Sequence, residues 1–196
     1  MSFYKISTSA CLLIFVLFAV AGAAQASDIS LFVGAEMPGS VEHQSAKMPL
    51  DNGPVFGLRY GNDFVRYLGL EHTFAYSPDF MFPSNNECGS AEAVQACWGE
   101  AKGFIYNSNL LLNFPDMDDR MVPFLTAGVG LVHQYGDRNL PVGTKLAFNY
   151  GGGVKLPNLA GPLGARVDLR GYRAGIISKS VNMLEISVGV MVSFGR

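Results

Sequence analysis

The stretch Leu184-Glu185-Ile186-Ser187-Val188-Gly189-Val190-Met191-Val192-Ser193-Phe194 alternates without a break. Leu184, Ile186, Val188, Val190, Val192 and Phe194 hold one set of positions, and Glu185, Ser187, Gly189, Met191 and Ser193 hold the other. Successive side chains of a strand point to opposite faces, so this is a strand with one apolar face and one face of mostly small or polar residues. Its length suits a strand that crosses a bilayer at a tilt, for which ~9–11 residues suffice.

The same rhythm recurs upstream, which predicts eight strands in all. The first sets Ile29, Leu31, Val33 and Ala35 against Ser30, Phe32, Gly34 and Glu36, and the second sets Phe56, Leu58 and Tyr60 against Gly57, Arg59 and Gly61. In the third, Leu68, Leu70, Phe74 and Tyr76 oppose Gly69, Glu71, Thr73 and Ala75; in the fourth, Phe104, Tyr106, Leu110, Leu112 and Phe114 oppose Asn107, Asn109 and Asn113. The fifth, Val122 to Tyr135, has the weakest contrast, with Leu125, Ala127, Val129 and Leu131 between Thr126, Gly128, Gly130 and Val132. Phe148, Tyr150, Val154 and Leu156 alternate with Asn149, Gly151, Gly153 and Lys155 in the sixth, and Ala165, Val167, Leu169 and Gly171 with Arg166, Asp168 and Arg170 in the seventh.

The connections take turns in length. Those at about 37–53, 77–102, 136–146 and 173–183 are long, while a tight turn at Gly61-Asn62-Asp63, the turn Pro115 to Arg120 and the turn Pro157 to Pro162 are short. An up-and-down antiparallel barrel puts all odd connections at one end and all even ones at the other, which is the pattern a two-sided barrel requires.

Charge decides which face meets water. The chain of 196 residues is 49% hydrophobic and only 15% charged, below the ~25% of an average soluble domain. The polar face is not charged as a soluble exterior would be: it is dominated by Gly, Ser, Thr and Asn. Its charges are Glu36, Glu71, Asp168 and Glu185 against Arg59, Lys155, Arg166 and Arg170, a balanced set that suits the packed lumen of an eight-stranded barrel. Aromatic residues near segment ends, Tyr60, Tyr67, Tyr76, Phe104, Phe114, Tyr135, Phe148 and Tyr172, fit girdles at the two membrane boundaries. His72 departs from the pattern, since alternation directs it at lipid with Leu70 and Phe74, and a bulge or phase slip is expected there.

Other features bound the function. Hydrophobicity this high with a net charge of −2 excludes a disordered chain and a polycationic nucleic-acid binder. Residues 1–26 read as a cleaved signal peptide: Lys5 in a polar start, an apolar run from Ala10 to Ala24, and Ala24-Gln25-Ala26 as the cleavage pattern. The barrel domain is then 27–196. Cys11 leaves with the leader, and Cys88 and Cys97 remain in an exported protein, which predicts a disulfide within loop 77–102. That loop also carries Phe80, Phe82 and Trp98 with Glu87, Glu92 and Glu100, a candidate contact surface for an extracellular or host partner.

Catalytic chemistry finds little to build on. His43, His72 and His133 stand in no Ser-His-acid pattern, and no metal or cofactor site is expected: Asp116-Met117-Asp118-Asp119 reads as a solvated turn, and Gly151-Gly152-Gly153 as packing space within a strand.

In Phe124-Leu125-Thr126-Ala127-Gly128-Val129-Gly130, in Asn149-Tyr150-Gly151-Gly152-Gly153-Val154 and in Leu184 to Phe194, the chain resembles the small OmpA/OmpX-like, porin-like outer-membrane barrels of Gram-negative bacteria. The resemblance is architectural and spans 27–196. It implies an all-β, eight-stranded up-and-down transmembrane barrel in contact with outer-membrane lipid, acting as an envelope scaffold or surface-interaction protein and not as a wide pore. No peptidoglycan-binding domain is expected after the barrel. The family's last strand ends in an aromatic residue recognised by the barrel-insertion machinery, whereas here Gly195 and Arg196 follow Phe194. Two other readings are a barrel-borne lipid A-modifying enzyme and a periplasmic lipocalin-like carrier with an apolar cavity.

Overall fold

The computed structural model describes residues 26–39, 41–43, 46–48, 52–78, 101–116, 120–136, 143–175 and 181–194. Its strands are β1 (Ala26–Pro38), β2 (Val41–His43), β3 (Ala46–Met48), β4 (Gly53–Val65), β5 (Leu68–Ser77), β6 (Ala101–Asn113), β7 (Val122–Gly136), β8 (Gly143–Ala160), β9 (Leu163–Ala174) and β10 (Val181–Phe194). Eight of them close into an antiparallel barrel in the order β1-β10-β9-β8-β7-β6-β5-β4, and β2 and β3 form a separate two-stranded hairpin. All eight strands expected from alternation are present, and each is longer than its periodic segment. The hairpin lies in the first long connection, where no strand was expected.

Closure is made by the first and last barrel strands, which pair from Ser27↔Phe194 to Pro38↔Met183. With every strand paired on both sides, no open edge of backbone donors and acceptors is left in the barrel wall, as lipid requires. The connections 66–67, 114–121 and 161–162 and both barrel termini lie at one end. The expected long connections lie at the other, but extension of the strands leaves only six residues in 137–142 and in 175–180, fewer than the eight of 114–121, so length does not alternate as strictly as the sequence suggested.

The predicted turn at Gly61-Asn62-Asp63 is not a turn. The β4 ladder continues through it, with Asn62↔Leu70 and Asp63↔Gly69, and the register shifts between Asp63 and Val65. Polar side chains that suit a turn find strand partners instead: Ser27 Oγ donates to Asn62 Oδ1 at 2.7 Å, and Asn113 Nδ2 donates to Asp63 Oδ1 at 2.9 Å. The chain reverses at Arg66-Tyr67, where Arg66 reaches the Asp116 carbonyl of the neighbouring turn at 3.2 Å. Within that turn the Asp116 carboxylate accepts from the Arg120 backbone N–H at 2.9 Å, the local closure a solvated turn would make. The turn before β9 is tighter than expected: only Gly161 and Pro162 separate the strands, after a register shift between Leu156 and Ala160 in which Asn158 takes a φ of 58°.

The face assignment holds around the barrel. Leu31, Val33, Phe56, Leu110, Leu125, Val129, Tyr150, Val167, Leu169, Ile186, Val188 and Val190 are exposed on the outside, and the opposite parity is buried. The buried side is stratified. Towards the long-connection end an apolar layer of Val55, Ala75, Ile105, Val132, Ala147, Ala174 and Met183 fills the lumen, whereas the charged residues lie deeper. Leu111, Val122, Phe124 and Met191 add apolar packing on the other side of the charges.

A lipid-facing exterior is tested by charge. Val188→Arg, midway along β10, is expected to lower unfolding free energy in phospholipid vesicles by about 2–4 kcal/mol, and Asn182→Arg, at the strand end, by about 0–1 kcal/mol. Equal effects at the two positions in a denaturant titration would contradict a lipid-facing belt.

Candidate functional site

The interior of the barrel is where polar chemistry collects. Arg166, Asp168 and Arg170 project inward from alternate positions of β9, Arg59 from β4, Glu71 from β5 and Glu185 from β10, and each is at most 1% exposed. Asp168 lies at the centre: it meets Arg166 Nε at 2.8 Å, Arg170 Nη2 at 2.8 Å and Arg59 Nη1 at 3.3 Å. Glu71 accepts from Arg166 Nη1 at 2.5 Å and from Arg170 Nη2 at 2.6 Å. Glu185 accepts from Arg59 Nη2 at 2.5 Å and from the Tyr172 hydroxyl at 2.7 Å.

Three guanidiniums and three carboxylates therefore form one neutral cluster. In the strand order β5 and β9 lie on opposite sides of the ring, so the Glu71 bridges tie facing walls across the lumen. Neutral donors and acceptors complete the set: Ser187 bridges Arg59 and Glu185, and Thr73 lies within reach of Arg170. Burial of this many charges is tolerated because each carboxylate has several donors, not one.

Two aromatic rings lie on the cations. Phe32 stacks on the Arg59 guanidinium with 3.6 Å from Cζ to the ring centroid, and Phe124 lies 4.5 Å from Arg166 Cζ. Phe124 can do so because position 153 is glycine: a Cβ there would meet the Phe124 ring at 2.7 Å. The glycine run thus supplies packing space for a neighbouring strand, as the strand context suggested.

Seven of the eight expected lumen charges take part in ion pairs, and one does not. Lys155 pairs with Asp28 at 2.7 Å, away from the central cluster, so Asp28 completes the balance that Glu36 was expected to complete. Glu36 is buried in the lumen but lies opposite Glu185 in the β1–β10 register, and no cation among the described residues pairs with it. Parity placed it correctly, but its height along the strand sets it among Val55, Ile105 and the rest of the apolar layer. Asp28 shares that parity and precedes the periodic segment, and this was its only signal.

Tyr172 is a second correction. Expected in an aromatic girdle, it is 2% exposed and donates to Glu185, because it continues the inward parity of Arg166, Asp168 and Arg170. Tyr67, Phe104, Phe114, Tyr135 and Phe148 do face outward. His72 also faces outward, and no bulge lies beside it: β4 and β5 stay in register from Phe56 to Asp63. Its Nδ1 is instead 3.1 Å from the Tyr106 hydroxyl, with the two rings stacked at 6.2 Å, so its polar atom has a partner on the apolar face.

His133 Nδ1 meets Thr144 Oγ1 at 2.9 Å. Neither described histidine side chain has a serine among the hydrogen-bond partners found. The side chain of His43 lies outside the described residues, as do Cys88, Cys97 and the predicted disulfide, the aromatic and acidic residues of 80–100, and the leader with its Ala24 cleavage position. Ala26 already pairs with Asp63, one residue before the expected domain boundary.

The six acidic and basic side chains at the centre of this interior do not suit an apolar carrier cavity. The fold is that of the small eight-stranded outer-membrane barrels, all-β, antiparallel and up-and-down. Neisserial surface protein A superposes with a TM-score of 0.60 at 16% identity, over 87% of this chain and 98% of that one. OprG from Pseudomonas aeruginosa gives 0.55 at 10% identity, over 89% and 98%, and the N-terminal β-barrel domain of Pseudomonas aeruginosa OprF gives 0.50 at 14%, over 86% and 98%. At these identities the likeness is one of fold. No family model matches the chain, and no curated protein matches it in sequence.

The geometry ranks the charges by consequence. Asp168→Asn removes a charge that three guanidiniums share and is expected to cost about 3–5 kcal/mol. Glu36→Gln breaks no ion pair and is expected to change stability by less than about 1 kcal/mol. Urea unfolding of the two variants in lipid vesicles, compared with the parent, measures the difference.

Proposed function

We propose that this chain is an integral outer-membrane protein whose barrel is a closed scaffold, holding its long connections at the cell exterior and its short turns in the periplasm. The observation that supports this most directly is the inversion of polarity: the wall is apolar outside and ionic inside, the arrangement that lipid selects and water does not. Likeness of fold to outer-membrane barrels agrees with that location.

The lumen carries no general diffusion pathway. An apolar layer and an ionic cluster fill the cross-section in succession, so a conducting state would need both to rearrange. Contact chemistry then falls to the outer surface and the long connections, with the 77–102 loop, its Cys88 and Cys97 included, as the segment that meets an extracellular partner. Outer-membrane lipid and the insertion machinery are the partners that the barrel itself requires. A lipid A-modifying activity would need a nucleophile and base together. The contacts of His72 with Tyr106 and of His133 with Thr144 do not supply that pair.

Fractionation followed by gel migration with and without boiling in SDS tests the reading. Recovery in the outer-membrane fraction with a boiling-dependent shift is expected. A protein soluble without detergent and showing no shift would overturn it.

A further inference from the structure

On the outside of the barrel, two cross-strand rows of large side chains run side by side near the long-connection end. Phe56 on β4, Tyr76 on β5 and Phe104 on β6 are register partners in one row, and Leu58 and Phe74 are partners in the next. Between the rows the register partners are Gly57 and Ala75, whose small or absent side chains face inward and leave backbone as the floor. The result is a groove of about 410 Å³, extended by Leu31 on β1 and lined almost wholly by carbon. Its volume lies within the ~300–1,000 Å³ of small-molecule sites.

Charge stands at only one end of it, while at the other the polar atoms of His72 and Tyr106, the latter the register partner of Phe74, meet each other. Lys102 follows the same outward parity two residues beyond Phe104, towards the long connections, and is exposed. Tyr135 is its register partner on β7, and Tyr76, the register partner of Phe104, stands on the other side of β6. A trough of hydrocarbon is thus capped by one ammonium and two phenols, a polarity gradient that runs in the same direction as that of a membrane leaflet.

We propose that this groove is a lipid-binding site whose occupant is a phosphorylated, acylated glycolipid of the outer leaflet, with one acyl chain lying between the two rows and a sugar-borne phosphate on Lys102. Charge complementarity selects an anionic headgroup, and the phenols of Tyr76 and Tyr135 supply hydroxyls suited to sugar oxygens. The assignment rests on the outer-membrane reading, which makes the leaflet at the long-connection end the glycolipid one. It also gives a reason for the paired rows of large side chains over Gly57 and Ala75, which the closed lumen does not require.

The test uses the full chain folded in a neutral detergent, with folding of every variant checked by its boiling-dependent gel shift. Lipid retention is read by native mass spectrometry after adding lipid A, dephosphorylated lipid A or phosphatidylglycerol. One lipid A molecule is expected to be retained in preference to the other two lipids. Lys102→Gln should weaken lipid A retention about fivefold, the scale of an exposed ion pair, without affecting the dephosphorylated form. Leu58→Trp, or Leu58→Phe should the larger ring prevent folding, fills the groove and should reduce retention of both forms of lipid A. The assignment is overturned if no lipid A is retained, if phosphatidylglycerol or the dephosphorylated lipid is held equally well, or if Lys102→Gln matches the parent. Because the assay is done in detergent, a negative result leaves the fractionation result standing, and the reverse also holds.

Discussion

Asp168, held between Arg59, Arg166 and Arg170, is the contact around which the rest of the barrel is arranged. Eight strands enclose an interior too narrow for a water channel, so side chains from all walls must fill it. Long cationic side chains can cross such a space, but only if a carboxylate meets each guanidinium and if the facing positions are small enough to admit them. Both conditions appear in the sequence of the inward face. Gly153 admits the Phe124 ring, that ring lies on Arg166, and Arg166 reaches Glu71 on the facing wall. Removal of any member would leave its neighbours buried without charge compensation, which binds strands distant in the chain into one unit.

The same constraint explains what could be known before the structure. Period-two alternation assigns a face, and closure then sends one face inward; for Leu184 to Phe194 this was unambiguous, because every apolar residue has the same parity. Alternation carries no information on height. Glu36 and Glu185 share a face with Asp28, yet which of them meets a cation depends on the stagger between strands and the diameter they enclose, and neither is written in a single segment. Tyr172 shows the opposite difficulty. Its position near a strand end suggested a girdle, but parity with Arg170 was the stronger guide. Gly61-Asn62-Asp63 has turn chemistry in isolation, and it was overridden by lumen and cross-strand partners that only the folded barrel supplies, Asn113 and Ser27. The apolar outer layer was legible in part, through Ala75 and Val132, but Val55, Ala147 and Met183 each lie just beyond the end of a periodic segment, and Ile105 stands between Phe104 and Tyr106, where an apolar residue on the inward parity carries no contrast with the outer face.

Stratification of the lumen separates stability from function. The ionic cluster is sealed by the layer of Val55, Ile105, Val132 and Met183 on one side and approached by Phe124 and Met191 on the other, so its electrostatics are screened little by solvent and contribute to holding the walls in register. A cluster so enclosed is poorly placed to bind anything, because each of its charges already has a partner. Specific recognition must then use surfaces that closure leaves free.

Those surfaces differ in what they can recognise. Most of the wall is a uniform aliphatic belt that any lipid chain covers equally well, as in the Leu184 to Val192 face of β10. Selectivity needs relief and a polar reference point together. The β4–β6 sector has both: aromatic rows with a backbone floor between them, and Lys102 and Tyr135 above. His72 and Tyr106 lie below the groove in the same sector and satisfy each other's polar atoms, so a chain lying there meets hydrocarbon along its length and charge only at its head. An orientation is thereby imposed on whatever binds, which a uniform belt cannot do.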